Sequence, residues 1–96
     1  MPRPRRRRRI GFNPDTTYFK PAGIKKFELE ISNLTLEELE AVRLKDYEGL
    51  DQETSAERMN ISQPTFHRLL LEARKKIADA LVNGKALKIE KTKIEK

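Results

Sequence analysis

The side chains whose types and spacing could do chemistry lie between Asp51 and Gly84. Gln63, Pro64, His67, Arg68 and Leu71 fall on one side of a predicted helix, near its start. Arginine can grip guanine with two parallel N–H groups, and glutamine can do the same for adenine. Ser62, Thr65, Arg74 and Lys75 flank that set, where phosphates would lie against a helix docked in a groove. Far upstream stand Arg3, Arg5, Arg6, Arg7, Arg8 and Arg9, a block of cation with no acid among them. The chemistry these residues suit is recognition of a polyanion. Covalent chemistry is poorly provided for: there is no cysteine, one histidine, and no nucleophile–base pair or phosphate-cradling glycine loop. An enzyme, a metal site and a cofactor are therefore not expected.

A helix, a tight turn and a longer basic helix must position this set. Gln52, Ala56, Asn60, Ile61, Ser62, Phe66 and Leu69 fall where a DNA-binding helix-turn-helix needs them. A small residue at Ala56 lets two helices cross closely, and Asn60 tolerates the left-handed conformation of the turn. Ser62 is a good N-cap, and Pro64 fits the first turn of the second helix. Met59, Ile61, Phe66 and Leu69 should point inward. Phe66, Leu69, Leu70, Ala73, Ile77, Ala80 and Leu81 repeat at helical spacing and predict a buried stripe, with Gly84 as the stop. The plain alternative is a helical hairpin in a small bundle with a solvated basic face.

Charge is distributed unevenly along the 96 residues, whose formal net charge is +6. Residues 1–9 carry +6 and residues 10–27 carry +2; residues 28–57 carry −8 and residues 58–96 carry +6. Basic character thus returns just before the proposed recognition helix. A molecule so polarised would orient itself on nucleic acid. Residues 1–9, with two prolines and a like-charge block, predict a disordered arm. Extended, it would span about 30 Å, enough to follow a neighbouring groove. A solubilising tail and a nuclear localisation signal are the alternatives. No apolar run approaches membrane-spanning length and no signal peptide is visible, so a cytoplasmic, nucleoid-associated location is expected.

The remaining segments supply the frame. Residues 10–33 read as a short strand near Ile10, an ordered loop packed by Tyr18 and Phe19, and a half-buried strand. In that strand Phe27, Leu29 and Ile31 alternate with polar residues. Its partner would be the strand near Ile10, the segment Ala86–Ile89, or a second subunit. Leu34 to Tyr47 predicts a helix, with Thr35 and Glu38 as a capping box, Leu34 and Leu39 as a staple, and Leu36, Leu39, Leu44 and Tyr47 on one apolar face. Arg43 falls within that face, so an ion pair with Glu53 or Glu57 is expected. Residues 85–96 predict a short strand and a charged, frayed tail.

With these residues in view, the chain resembles an uncharacterised prokaryotic family of small predicted DNA-binding proteins. The resemblance runs from Met1 to about Glu90. It rests on the opening MPRP with its arginine block, YFKPAG, LTLEELEAVRL, EGLDQETSAERMNISQPTFHRLL and ARKKIADALVNGKALKIE. It implies a helix-turn-helix similar to region four of bacterial sigma factors, with Gln63, Pro64, His67 and Arg68 at base edges. Several relatives carry cysteines near the N-terminus; this chain carries none.

The fold expected is mainly α, a three-helix helix-turn-helix domain over residues 34–84 with a recognition helix at about 63–82. Short strands should flank it at both ends. The function expected is sequence-specific binding of double-stranded DNA by a transcriptional regulator. One such unit reads few bases, so a homodimer is expected, with the strands at Phe27 and Leu87 as candidate contacts. The rival readings are an acidic face, Glu37, Glu38, Glu40, Glu48 and Glu53, docking RNA polymerase or another transcription protein, and RNA binding through the arm.

Overall fold

The computed structural model describes residues 9–25 and 28–90. Strand β1 is Tyr18–Phe19, β2 is Ile31–Thr35, α1 is Leu36–Val42, α2 is Gln52–Met59, α3 is Gln63–Asn83 and β3 is Ala86–Glu90. The protein is mainly helical with short strands. The expected arm of residues 1–8 and the tail of residues 91–96 lie outside the described residues.

Three local signals start the helices. Thr35 and Glu38 form a reciprocal capping box at α1, Asp51 accepts from Thr54 N–H at α2, and Ser62 accepts from Thr65 N–H at α3. Each side-chain oxygen satisfies a backbone donor that the first turn leaves free. Beyond α1 the helix widens, and Arg43–Tyr47 form a π-helical turn. The Glu48 N–H donates to the Arg43 carbonyl at 2.8 Å, five residues back. The wider turn rotates later residues around the axis. Tyr47, expected on the apolar face, is therefore 83% exposed.

The sheet order is β1-β3-β2. The C-terminal strand β3 lies in the middle, parallel to β2 in the register Leu34↔Ile89 and antiparallel to β1. All three helices lie in the connection between the parallel strands, as a parallel pair requires. Of the three strand partners open to β2 from sequence, Ala86–Ile89 is the one used. Among the described residues there is no strand near Ile10, where one was expected; β1 occurs later, at Tyr18.

The phase of β2 differs from the expected one. Ser32 and Leu34 are buried, whereas Ile31 is 42% exposed, and Phe27 lies outside the described residues. The reason is the junction with α1. Thr35 is both the end of β2 and the cap of α1, which draws Leu34 beneath the helices, against Ala73 and Ile89. Since side chains alternate, fixing one residue inward decides the face of all the others.

The core has two parts. Ala41, Leu44, Ala56, Met59, Phe66 and Leu70 pack between the helices, with Ile61 and Leu69 partly buried against them. Leu34, Ala73 and Ile89 join α3 to the sheet, with Ile77 and Leu87 alongside. Val42 packs against both parts. The predicted stripe of α3 is buried or half-buried except at its end, where Leu81 is 79% exposed. Ile77 packs against the sheet cluster, whereas Leu81 borders an open groove with Phe19 and Leu87.

Candidate nucleic-acid interface

The turn between α2 and α3 is built from Asn60, Ile61 and Ser62. Asn60 adopts φ 62° and ψ 42°, and its N–H donates to the Glu57 carbonyl at 3.0 Å while the Ile61 N–H reaches the Ala56 carbonyl at 3.1 Å. Asparagine enters this left-handed region at less cost than most residues with a Cβ. Met59 and Phe66, both fully buried, hold the two helices on either side of the turn.

That junction fixes which side of α3 meets solvent. Ser62, Gln63, Pro64, His67, Arg68, Leu71 and Lys75 are exposed and Thr65 is half-buried. The five residues read as base contacts therefore share one open face at the N-terminal half of α3. Apart from Leu71, these positions offer hydrogen-bond donors and acceptors or the compact ring of Pro64.

The base of the arginine arm lies beside this face. The Arg9 N–H donates to the Met59 carbonyl at 3.1 Å, and its Nη2 donates to the Glu57 carbonyl at 3.4 Å. These are the last carbonyls of α2, the negative end of its dipole, where a cation is favoured. Arg9, Glu57, Arg58, Asn60, Ile61 and Ser62 line an open cleft of about 830 Å³. Reasoning from sequence misses Arg58, although a signal exists: an exposed cation in the last turn of α2. Arg3, Arg5, Arg6, Arg7 and Arg8 lie outside the described residues.

Two further arginines are held by carboxylates. Arg43 does not pair with Glu53 or Glu57, which are both exposed on α2. Its Nε donates to Glu40 Oε1 at 2.7 Å and its Nη2 to Glu40 Oε2 at 3.0 Å, while Nη1 reaches Glu48 at 3.3 Å. Glu40 lies one turn earlier on the same face, and that nearness decides the partner. The Gly11 N–H donates to the same Glu40 carboxylate at 2.9 Å, and the Phe12 ring lies 4.8 Å from the guanidinium carbon. A Cβ at Gly11 would come within 2.8 Å of Arg43 Nη2. The cluster thus ties the N-terminal segment to the helices, and a side chain at Gly11 would have to displace the Arg43 guanidinium. Hydrogen bonding to Glu40 makes the Arg43 guanidinium hold its proton more firmly still, against the opposing effect of burial.

Arg74 is engaged by Asp46 in the π-helical turn, with Nε to Oδ2 at 3.1 Å and Nη2 to Oδ1 at 2.7 Å. Hydrogen bonding from Arg74 lowers the Asp46 pKa below the ordinary carboxylate value, and that from Asp46 raises the Arg74 pKa. The pair spans 28 positions, so no local pattern in the sequence reveals it.

The expected acidic face is not one surface. Glu38 and Glu40 are buried, and Glu38 is bound by Lys76 at 2.8 Å. Glu48 and Glu53 are exposed. Among the described residues no group of three or more His, Cys, Asp or Glu could hold a metal ion, and no helix is long and apolar enough to cross a membrane.

Fold and site together define a small, mainly helical domain with a mixed three-stranded sheet and one exposed helix face beside a basic cleft. The chain belongs to the family described as protein of unknown function DUF134, whose model matches residues 1–96. It is 60% identical over 90 residues to a UPF0251 protein of Moorella thermoacetica, covering 94% of this chain and 60% of that protein. It is 58% identical over 90 residues to UPF0251 proteins of Caldanaerobacter subterraneus subsp. tengcongensis and Desulforudis audaxviator. Those matches cover 94% of this chain and 76% and 59% of the two relatives. The chain therefore spans about three-fifths of the length of two of these relatives. No solved structure matches it.

Proposed function

We propose that this protein binds double-stranded DNA sequence-specifically and regulates transcription. In this reading α2 and α3 form a helix-turn-helix similar to sigma factor region four. The N-terminal half of α3 enters the major groove. Gln63, Pro64, His67, Arg68 and Leu71 meet base edges, with Arg68 the foremost, gripping guanine through two hydrogen bonds. Ser62, Thr65, Arg74 and Lys75 hold the backbone, and the arm of Arg3 to Arg9 grips phosphates or the minor groove.

The observation that carries this reading is the coincidence of two features at one end of the molecule. The side chains suited to base contact share one solvent-exposed face, and Arg9 is hydrogen-bonded beside the start of the same helix. Helix and arm can then address one duplex. The buried positions of Glu38 and Glu40 weigh against the rival acidic docking face.

A homodimer is part of the proposal, since two copies would read two half-sites about 34 Å apart. Strand pairing at Leu87 suits such a dimer poorly, because β3 already has a neighbour on each side.

The test is a salt-dependent binding titration of the whole chain, Arg68→Ala and a form lacking residues 2–9. Its ligands are a duplex enriched from a random library, an unrelated duplex and a structured RNA. The enriched duplex should bind tightest, and Arg68→Ala should lose that preference. Removing the arm should flatten the salt slope by about 0.9 for each phosphate it had neutralised. Equal binding of all three nucleic acids, indifferent to Arg68, would refute the reading. Preference for the structured RNA would replace it with RNA binding.

A further inference from the structure

We propose that Asp46 is a positioning residue for nucleic-acid binding, holding Arg74 so that its free guanidinium edge meets a phosphate of the duplex backbone. This rests on the DNA-binding reading and assigns one acidic residue a part in it.

A guanidinium has five N–H donors in a rigid plane. Asp46 takes the edge formed by Nε and Nη2, at 3.1 and 2.7 Å. The second parallel pair, from Nη1 and the other hydrogen of Nη2, is directed away from the carboxylate. That pair suits two oxygens of one phosphate.

The location of Arg74 selects phosphate over a base. It follows His67 by seven residues, two helical turns, and so continues the exposed face. It stands eleven residues after Gln63, about 16 Å along the axis at roughly 1.5 Å per residue. In a docked helix-turn-helix the N-terminal residues of the second helix contact base edges. Arg74 lies past the middle of α3, beyond that half, where the flanking backbone is the nearer partner.

Stability alone gives the pair little reason to exist. Arg74 and Asp46 are 47% and 39% exposed in their side chains, and open ion pairs contribute little to folding. Holding Arg74 in one orientation before binding instead removes an ordering cost at the interface. The pair crosses from the π-helical turn to α3, so the turn sets the direction of the carboxylate. Lys45 and Lys75, beside the two partners in sequence, keep the surroundings cationic.

The sign of one substitution tests the proposal. Removing a negative charge near a polyanion should by itself tighten binding. Positioning predicts the opposite: Asp46→Asn should weaken binding about threefold, the scale of ordering one long side chain. The loss should be equal on the enriched and unrelated duplexes. In an Arg74→Ala background, Asp46→Asn should be neutral or should tighten binding. Arg74→Ala should lower the salt slope by about 0.9, whereas Asp46→Asn should preserve the slope. Far-ultraviolet dichroism and thermal unfolding of each variant confirm that the fold is intact.

If Asp46→Asn tightens binding equally in both backgrounds, Asp46 is only a repelling charge and the proposal is overturned. A loss confined to the enriched duplex overturns the phosphate assignment in favour of a base contact. If the unaltered chain binds no duplex even at low salt, the DNA-binding reading fails and this one falls with it. If the chain binds and only the coupling between positions 46 and 74 is absent, the positioning role alone fails.

Discussion

Two arginine–carboxylate pairs take their carboxylates from one helical segment, residues 36–47, and they differ in partner and burial. Arg43 and Glu40 are joined within one turn, with Glu40 only 2% exposed in its side chain and also bound by the Gly11 N–H. Arg74 and Asp46 are joined across 28 positions, and both remain open to water. The inner pair fastens the N-terminal segment to the helical core. The outer pair joins the π-helical turn to α3 at the surface. Burial makes an ion pair costly to break, because one charge is left without its partner, whereas a pair open to water contributes little to folding. Exposed pairs are therefore the place to look for roles other than folding.

The largest effect should come from breaking the inner pair. Arg43→Ala leaves a buried carboxylate with its strong partner gone, and should cost about 3 kcal/mol in urea unfolding. The half-buried control Lys45→Ala should cost far less. Equal losses would mean that the inner pair contributes no more to folding than an unpaired lysine nearby.

Arg68→Ala should sharpen the contrast from the other side. Under the proposed function it removes about 1–3 kcal/mol of discrimination between bases, yet leaves the unfolding midpoint unchanged, because the residue is exposed. A matching loss of stability would show that the open face is structural after all. Ser62→Ala lies between the two cases. It removes the α3 cap and should lower stability by about 1 kcal/mol, read as a shift in unfolding midpoint.

The smallest effect concerns pH. Asp46 titrates below its unfolded value because Arg74 donates to it. Its contribution to stability is therefore present above the unfolded carboxylate pKa and is lost as pH falls through the lower folded one. Acid unfolding of Asp46→Asn should show a slightly shallower decline below about pH 4 than the unaltered chain. Exposure keeps the difference within a few tenths of a kcal/mol. A large difference would place Asp46 with Glu40 among the groups that the fold depends on.

Much of the helical frame is legible in the residues. The caps Thr35, Asp51 and Ser62, the left-handed Asn60, the stop at Gly84 and the inward Met59, Phe66 and Leu70 all depend on neighbours within a turn or two. The exposed set on α3 follows from the same periodicity. The features that sequence misplaces depend on distant partners or on a change of helical period. Arg43 points to the wrong helix from sequence, since a pattern of apolar positions cannot rank several acids by distance. Tyr47 looks like a core residue because the π-helical turn breaks the period on which that expectation relies. The phase of β2 is inverted because alternation around Leu29 and Ile31 competes with a junction at Thr35 that tethers Leu34.

The sequence by itself determined the caps, the turn, the helix faces and the polarity of charge, since each is set by short-range sterics, hydrogen bonding or composition. Only the tertiary structure decided that β3 lies between β1 and β2, that Arg9 rests at the end of α2, and that Asp46 meets Arg74. Those contacts join segments far apart in the chain. Their energies depend on packing across the whole domain, which no local window of residues contains.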